Sequence, residues 1–198
     1  GLVGSEMCIR DRYSINRAYK SRLKQCGQNA EGVFWRNKST QIARFETLLS
    51  ITKEASPNPK TIIADVGCGY GAMLNFIEQS AYSKSILYNG VDINRSMIKA
   101  CWNNFPEKTH LFKVGRKASR EVDFSLFSGT FNLCFLNNHQ TWERYIFSNL
   151  KQSWLKSKFG IVLNLLCEKK ANIKNQIYYA NLRQFTVSYT HLTLPTIR

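Results

Sequence analysis

The chain has 198 residues, 43% of them hydrophobic, and 28 Lys and Arg against 13 Asp and Glu give a net charge of +15. That is enough apolar sequence for one domain with a substantial core. No apolar run approaches the roughly 20 residues that a bilayer-spanning helix needs, and the six cysteines contain no CxxC pair. A membrane span, a disulfide framework and a cysteine zinc centre are therefore not indicated, and no other metal-ligand cluster is seen. The thiols read as reduced, in a cytoplasmic protein. The positive residues are scattered from Arg17 to Arg183 without a dense run or an aromatic–basic repeat. Nucleic acid is a partner open from charge alone and not one indicated by a motif.

The two ends mirror each other. Met7-Cys8-Ile9-Arg10-Asp11 can be coded by a DNA segment whose reverse complement reads Val187-Ser188-Tyr189-Thr190-His191. They resemble the translated adapter of transposase-based sequencing libraries. The expectation is that 1–12 and 187–198 are processing scars and that 13–186 is a single domain cut at both ends, with helices over 13–56 and a core over 61–167.

Tyr13 to Gly27 reads as a basic helix with Ile15, Ala18, Tyr19 and Leu23 on one side, broken by the stretch to Gly32. A second helix is expected from a Ser39 or Thr40 cap to about Lys53, with Ile42, Phe45, Leu48 and Leu49 as its apolar stripe. Pro57-Asn58-Pro59 ends it. Thr61-Ile62-Ile63-Ala64 is then a short β-branched run suited to a buried strand, and Asp65 closes it. Gly67, Gly69 and Gly71 lead into a helix over Ala72 to Gln79, and a second strand from Ile86 to Val91 ends on Asp92.

Strand, glycine turn, helix, strand and terminal acid make one βαβ unit with a ligand site at its carboxyl edge. Glycines allow a sharp turn and close approach of backbone N–H groups to a ligand. The helix start adds unpaired donors, and an acid at the second strand tip can take both hydroxyls of a ribose. A nucleoside-bearing cofactor fits this edge better than free phosphate. Gly67-x-Gly69-x-x-Ala72 also satisfies the dinucleotide fingerprint, which keeps a nicotinamide-dependent oxidoreductase domain as an alternative. Asp65, two residues ahead of the first glycine, together with Gly71, favours the other reading.

Asp65-Val66-Gly67-Cys68-Gly69-Tyr70-Gly71 resembles motif I of the class I S-adenosylmethionine-dependent methyltransferases, and Asp92-Ile93-Asn94-Arg95-Ser96-Met97-Ile98-Lys99-Ala100 resembles the second-strand exit and next helix of that family. Weaker likenesses, at Gly32-Val33-Phe34-Trp35, Gln41-Ile42-Ala43-Arg44-Phe45, Ser128-Gly129-Thr130-Phe131-Asn132, Trp142-x-x-Tyr145-Ile146 and Tyr178-Tyr179-Ala180-Asn181, are to one bacterial branch of it. The resemblance implies an α/β, Rossmann-like doubly wound sheet of order 3-2-1-4-5, here without the family's last two strands, so that the fifth becomes an exposed edge. It also implies S-adenosyl-L-methionine as cofactor. Asp65 and the loop Gly67, Cys68, Gly69 and Gly71 would hold the methionine part, and Asp92 with Ile93 the ribose side. Ser128 would stand where the methyl emerges. Arg44, or Trp35, on the leading helices would meet the cofactor. Many members carry an acid after the third strand against the adenine amine, where this chain has Gly115-Arg116.

Downstream, Ser96 is expected to cap a helix ending at Asn103-Asn104-Phe105-Pro106, and Leu111–Val114, Phe124–Phe127 and Gly160–Leu166 to be strands three to five. An amphipathic helix is expected over Gln140 to Leu155, and another opening at Tyr178-Tyr179-Ala180-Asn181. Methyl transfer from a sulfonium is displacement at an already activated carbon, so alignment and a dry pocket suffice. The candidates for orienting or deprotonating an acceptor are Asn132, His139 and Tyr179. The adenine-methylase signature is missing after the fourth strand. A small molecule is the expected acceptor, with RNA as the alternative.

Overall fold

The computed structural model describes residues 9–34 and 37–183. Trp35 and the adapter-like segments 1–8 and 187–198 lie outside the described residues. The elements in chain order are α1 (Ile9–Cys26), α2 (Lys38–Ala55), β1 (Thr61–Val66), α3 (Ala72–Glu78), β2 (Ile86–Asp92), α4 (Arg95–Asn104), β3 (Phe112–Val114), β4 (Val122–Phe127), α5 (His139–Trp154), β5 (Ser157–Leu163), β6 (Cys167–Glu168), β7 (Asn172–Lys174) and β8 (Ile177–Asn181).

The main sheet has the order β3-β2-β1-β4-β5 and is parallel throughout. Register pairs Val66 with Val91 and Asp65 with Leu126, so β1, β2 and β4 end together along one edge. Successive side chains on a strand point to opposite faces, and here both faces are covered. Ala64, Val66, Val91 and Phe127 pack beneath α5 on Trp142, Ile146 and Leu150. Ile63, Leu126 and Tyr88 pack with Phe45 and Leu49 of α2, Leu74 of α3 and Ile98 of α4. Full burial of side chains such as Ile63, Leu126 and Phe112 stabilises by about 1.5–3 kcal/mol each. Beneath the sheet's other end the buried Asp123 carboxylate accepts the Ile62 N–H at 2.8 Å.

Several boundaries differ from the sequence expectation. α1 begins at Ile9, ahead of Tyr13, because no glycine or proline interrupts 9–12. The cap of α2 is Asn37, whose Oδ1 accepts the Thr40 N–H at 2.9 Å, rather than Ser39 or Thr40. Asn94 rather than Ser96 caps α4, accepting the Ser96 N–H at 2.8 Å. In both cases an asparagine two or three residues upstream, itself a favoured cap, takes the position, so the helix starts earlier.

The larger correction concerns Tyr178–Asn181, which is strand β8 and not the start of a helix. Asn175 and Gln176 both adopt positive φ, 50° and 64°, and close a two-residue hairpin between Lys174 and Ile177. Both central residues of a type I′ turn need that conformation. Burial then alternates: Tyr178 and Ala180 face the core, Tyr179 and Asn181 the outside. β5 is the edge of the main sheet among the described residues, with Phe159 37% exposed upon it. The strands after it form a separate small sheet, β6-β8-β7.

Candidate active site

The site lies at the carboxyl edge of the main sheet, where the chain leaves β1 through three glycines. Gly67, Gly69 and Gly71 all have positive φ (84°, 56° and 89°), a region costly to residues with a Cβ. The first two line the cavity. A Cβ on Gly67 would come within 2.7 Å of Thr130 Cγ2, and one on Gly69 within 3.4 Å of Val33. Gly71 turns away from the cavity: a Cβ there would meet Phe105 at 2.8 Å. Its role is to let α3 start against the Phe105–Phe112 pair.

Two carboxylates flank the loop. Asp65, 2% exposed, accepts the Tyr88 hydroxyl at 2.8 Å. Burial raises its pKa to about 7, with the Tyr88 hydrogen bond opposing and the Asp92 charge adding to the rise. Asp92 is half-buried, and its two oxygens accept Gly69 N–H at 3.0 Å and Asn94 N–H at 2.7 Å. Burial raises its pKa to about 6, held from going higher by those two donors. Each oxygen keeps a further lone pair for a ligand. Cys68 is buried with its thiol pushed up by burial, and beside it Cys101 Sγ meets the Gly69 carbonyl at 3.1 Å.

The opposite wall comes from the exit of β4. Thr130 Oγ1 donates to the Val66 carbonyl at 2.7 Å and fixes this segment against the glycine loop. Gly129 N–H is held by Asn164 Oδ1 at 2.7 Å. A roof is supplied by the N-terminal elements: Asn16 and Tyr19 from α1, Val33 from the turn after it, and Gln41 and Phe45 from α2. The Asn16 carbonyl accepts Asn94 Nδ2 at 3.2 Å, which ties α1 to the β2 exit. The enclosed space is about 1040 Å³, open solvent at the mouth included.

Asp65, Gly67, Cys68, Gly69, Asp92, Ile93 and Ser128 all line this one cavity. The remaining candidates are not among the lining residues. Arg44 is half-buried on α2, and one turn earlier Gln41 occupies the position facing the cavity. His139 is the first residue of α5. Asn132 lends its carbonyl to the Tyr178 N–H at 2.8 Å. Tyr179 lies on the outer side of β8, its ring 5.7 Å from Lys174 Nζ. Sequence reasoning passed over Asn16, Tyr19, Gln41, Thr130, Trp142 and Tyr145 as lining residues. The two on α5 and Tyr19 read as apolar stripe, and only their place on helices that abut the sheet edge could have marked them.

No family model matches the chain. Over 122 residues, 60% of this chain and 72% of the relative, it is 28% identical to the "Putative methyltransferase Rv1506c" of Mycobacterium tuberculosis. Among solved structures it is similar to an S-adenosylmethionine-dependent methyltransferase of Leishmania major, with a TM-score of 0.56 and 12% identity over 87% of this chain and 71% of that one. It is also similar to the magnesium protoporphyrin IX methyltransferase of Synechocystis with bound cofactor, with a TM-score of 0.54 and 12% identity over 91% and 85%. At that identity the likeness is one of fold.

Proposed function

The chain carries the class I S-adenosylmethionine-dependent methyltransferase fold and is related to a protein named for that activity, and from that premise we propose that it transfers the methyl group of S-adenosyl-L-methionine to a small-molecule acceptor in the cytoplasm. The observation that carries the reading is the convergence of Asp65, Gly67, Gly69 and Asp92 on one cavity. The residues suit the cofactor. Gly67 makes a cradle that any side chain would fill, and Ser128 Oγ and Asn16 Oδ1 are buried without a partner among the described residues.

When bound, S-adenosylmethionine supplies a methyl carbon already activated by its sulfonium. The chain's own residues bind, orient and exclude water. Asp92 offers two oxygens, already aimed by Gly69 and Asn94, to a vicinal diol. Asp65 places a carboxylate where a cationic amino-acid head would be neutralised. The glycine loop brings main-chain groups close, and Val33, Phe45 and Trp142 surround the site with apolar surface. No side chain needs to act as a strong base for a nucleophile that is neutral or already ionised. A second reading, RNA as acceptor, draws on the net charge of +15 alone.

The test is label transfer. Incubation with methyl-labelled S-adenosylmethionine and a fractionated bacterial extract should place label in metabolites of low molecular mass. Label confined to RNA would overturn the small-molecule reading.

A further inference from the structure

Two features stand near the β2 exit, on the Asp92 side of the cavity. Gly115, just past β3, hydrogen-bonds through its N–H to the Asp92 carbonyl at 2.9 Å. The next residue, Arg116, lines the cavity, so this exit presents a cation and no side-chain acceptor. On α1, Asn16 Oδ1 is buried and has no hydrogen-bond partner among the described residues. The Asn16 carbonyl is occupied by Asn94 Nδ2, two residues beyond Asp92, so the side chain is held beside the β2 exit. A buried acceptor without a donor costs about 1–3 kcal/mol, which makes the arrangement costly until a donor arrives.

We propose that Asn16 Oδ1 accepts a hydrogen bond from the adenosine portion of the cofactor, so that helix α1 supplies the polar recognition that the β3 exit lacks. The inference rests on the cofactor reading above. It makes α1 part of the binding site and not merely a cover. A ligand donor placed on Asn16 would also tie α1 to the ribose-binding turn through the existing Asn94 contact.

The experiment compares wild type with Asn16→Leu by calorimetry, using S-adenosylhomocysteine and methylthioadenosine, which lacks the amino-acid end. Thermal unfolding of both ligand-free proteins is measured alongside. The expected result is a roughly tenfold loss of affinity for both ligands, the usual scale for an unmade buried hydrogen bond. The ligand-free Asn16→Leu protein should melt at the same temperature as wild type or higher, because the substitution removes an unsatisfied acceptor. Loss of affinity for S-adenosylhomocysteine alone would put the contact at the amino-acid end and overturn the proposal. So would unchanged affinity for both, or a ligand-free Asn16→Leu protein that melts lower, which would mark the side chain as structural. If wild type bound neither ligand, the cofactor reading itself would fall.

Discussion

Replacing Gly67 with alanine tests the geometry of the glycine loop most sharply. At φ 84° a residue with a Cβ is strained by about 1–2 kcal/mol. The new methyl would sit 2.7 Å from Thr130 Cγ2 and 2.8 Å from Oγ1. Thr130 cannot swing aside freely, since its hydroxyl is bonded to the Val66 carbonyl. Overpacking of this kind costs about 1–3 kcal/mol. The two effects together come to about 3 kcal/mol, which for a domain of this size lowers the melting temperature by about 6–12 °C. S-adenosylhomocysteine affinity should fall at the same time, because the clash displaces the wall of the cavity. Differential scanning calorimetry of wild type, Gly67→Ala, Thr130→Ala and the double substitution separates the two contributions. The steric part should appear as a favourable coupling of about 1–2 kcal/mol in the double-mutant cycle, while the backbone strain persists. A Gly67→Ala protein melting within about 2 °C of wild type, with no coupling to Thr130, would refute the reasoning.

Other expectations concern the carboxylates and the braces. Asp92→Ala should weaken S-adenosylhomocysteine binding about 10- to 100-fold in calorimetry, the range for hydrogen bonds to a charged group. Asp65 and Asp92 have folded pKa values near 7 and 6, above the ordinary 3.8, so the folded state holds more protons than the unfolded state between about pH 4 and 7. Their contribution is fully present below about pH 4 and is lost as pH rises through 6 and 7, which urea titrations at fixed pH would detect. In the same window, binding a cationic ligand should release protons, read from calorimetry in buffers of different ionisation enthalpy. Tyr178→Phe removes the 2.9 Å bond to Glu143 and should cost about 1 kcal/mol of stability while leaving cofactor affinity within twofold.

Much of the site was legible because its constraints are local. Acid, glycine loop and second acid occur within 28 positions of one βαβ unit, and parallel register brings both acids to one edge. The unit itself fixes only that β1 and β2 are neighbours; the full strand order came from the family resemblance that its motifs carry. The hairpin β7–β8 was not legible, since Asn175-Gln176 lacks the glycine that usually marks a type I′ turn. Tyr178-Tyr179-Ala180-Asn181 carries no helical or strand period strong enough to decide. The places of the acceptor candidates, off the cavity lining, were hidden for a related reason. Asn132, His139 and Tyr179 were singled out by residue type near the β4 exit and the late strands, whereas placement depends on the bridge between Leu133 and Ile177 and on the capping of α5 by Asn138. Both are tertiary choices. Arg44 and Gln41 lie three apart, on neighbouring positions of one helix face, so what separates them is height along α2 relative to the cavity, which the sequence does not give.

The central claim is that two acids and a glycine loop form a pocket for an adenosine-linked sulfonium. It is tested most directly by titrating the wild-type protein calorimetrically with S-adenosylhomocysteine and, separately, with NAD. Saturable one-to-one binding of S-adenosylhomocysteine with no heat from NAD is the expected outcome. Binding of NAD alone would contradict the claim.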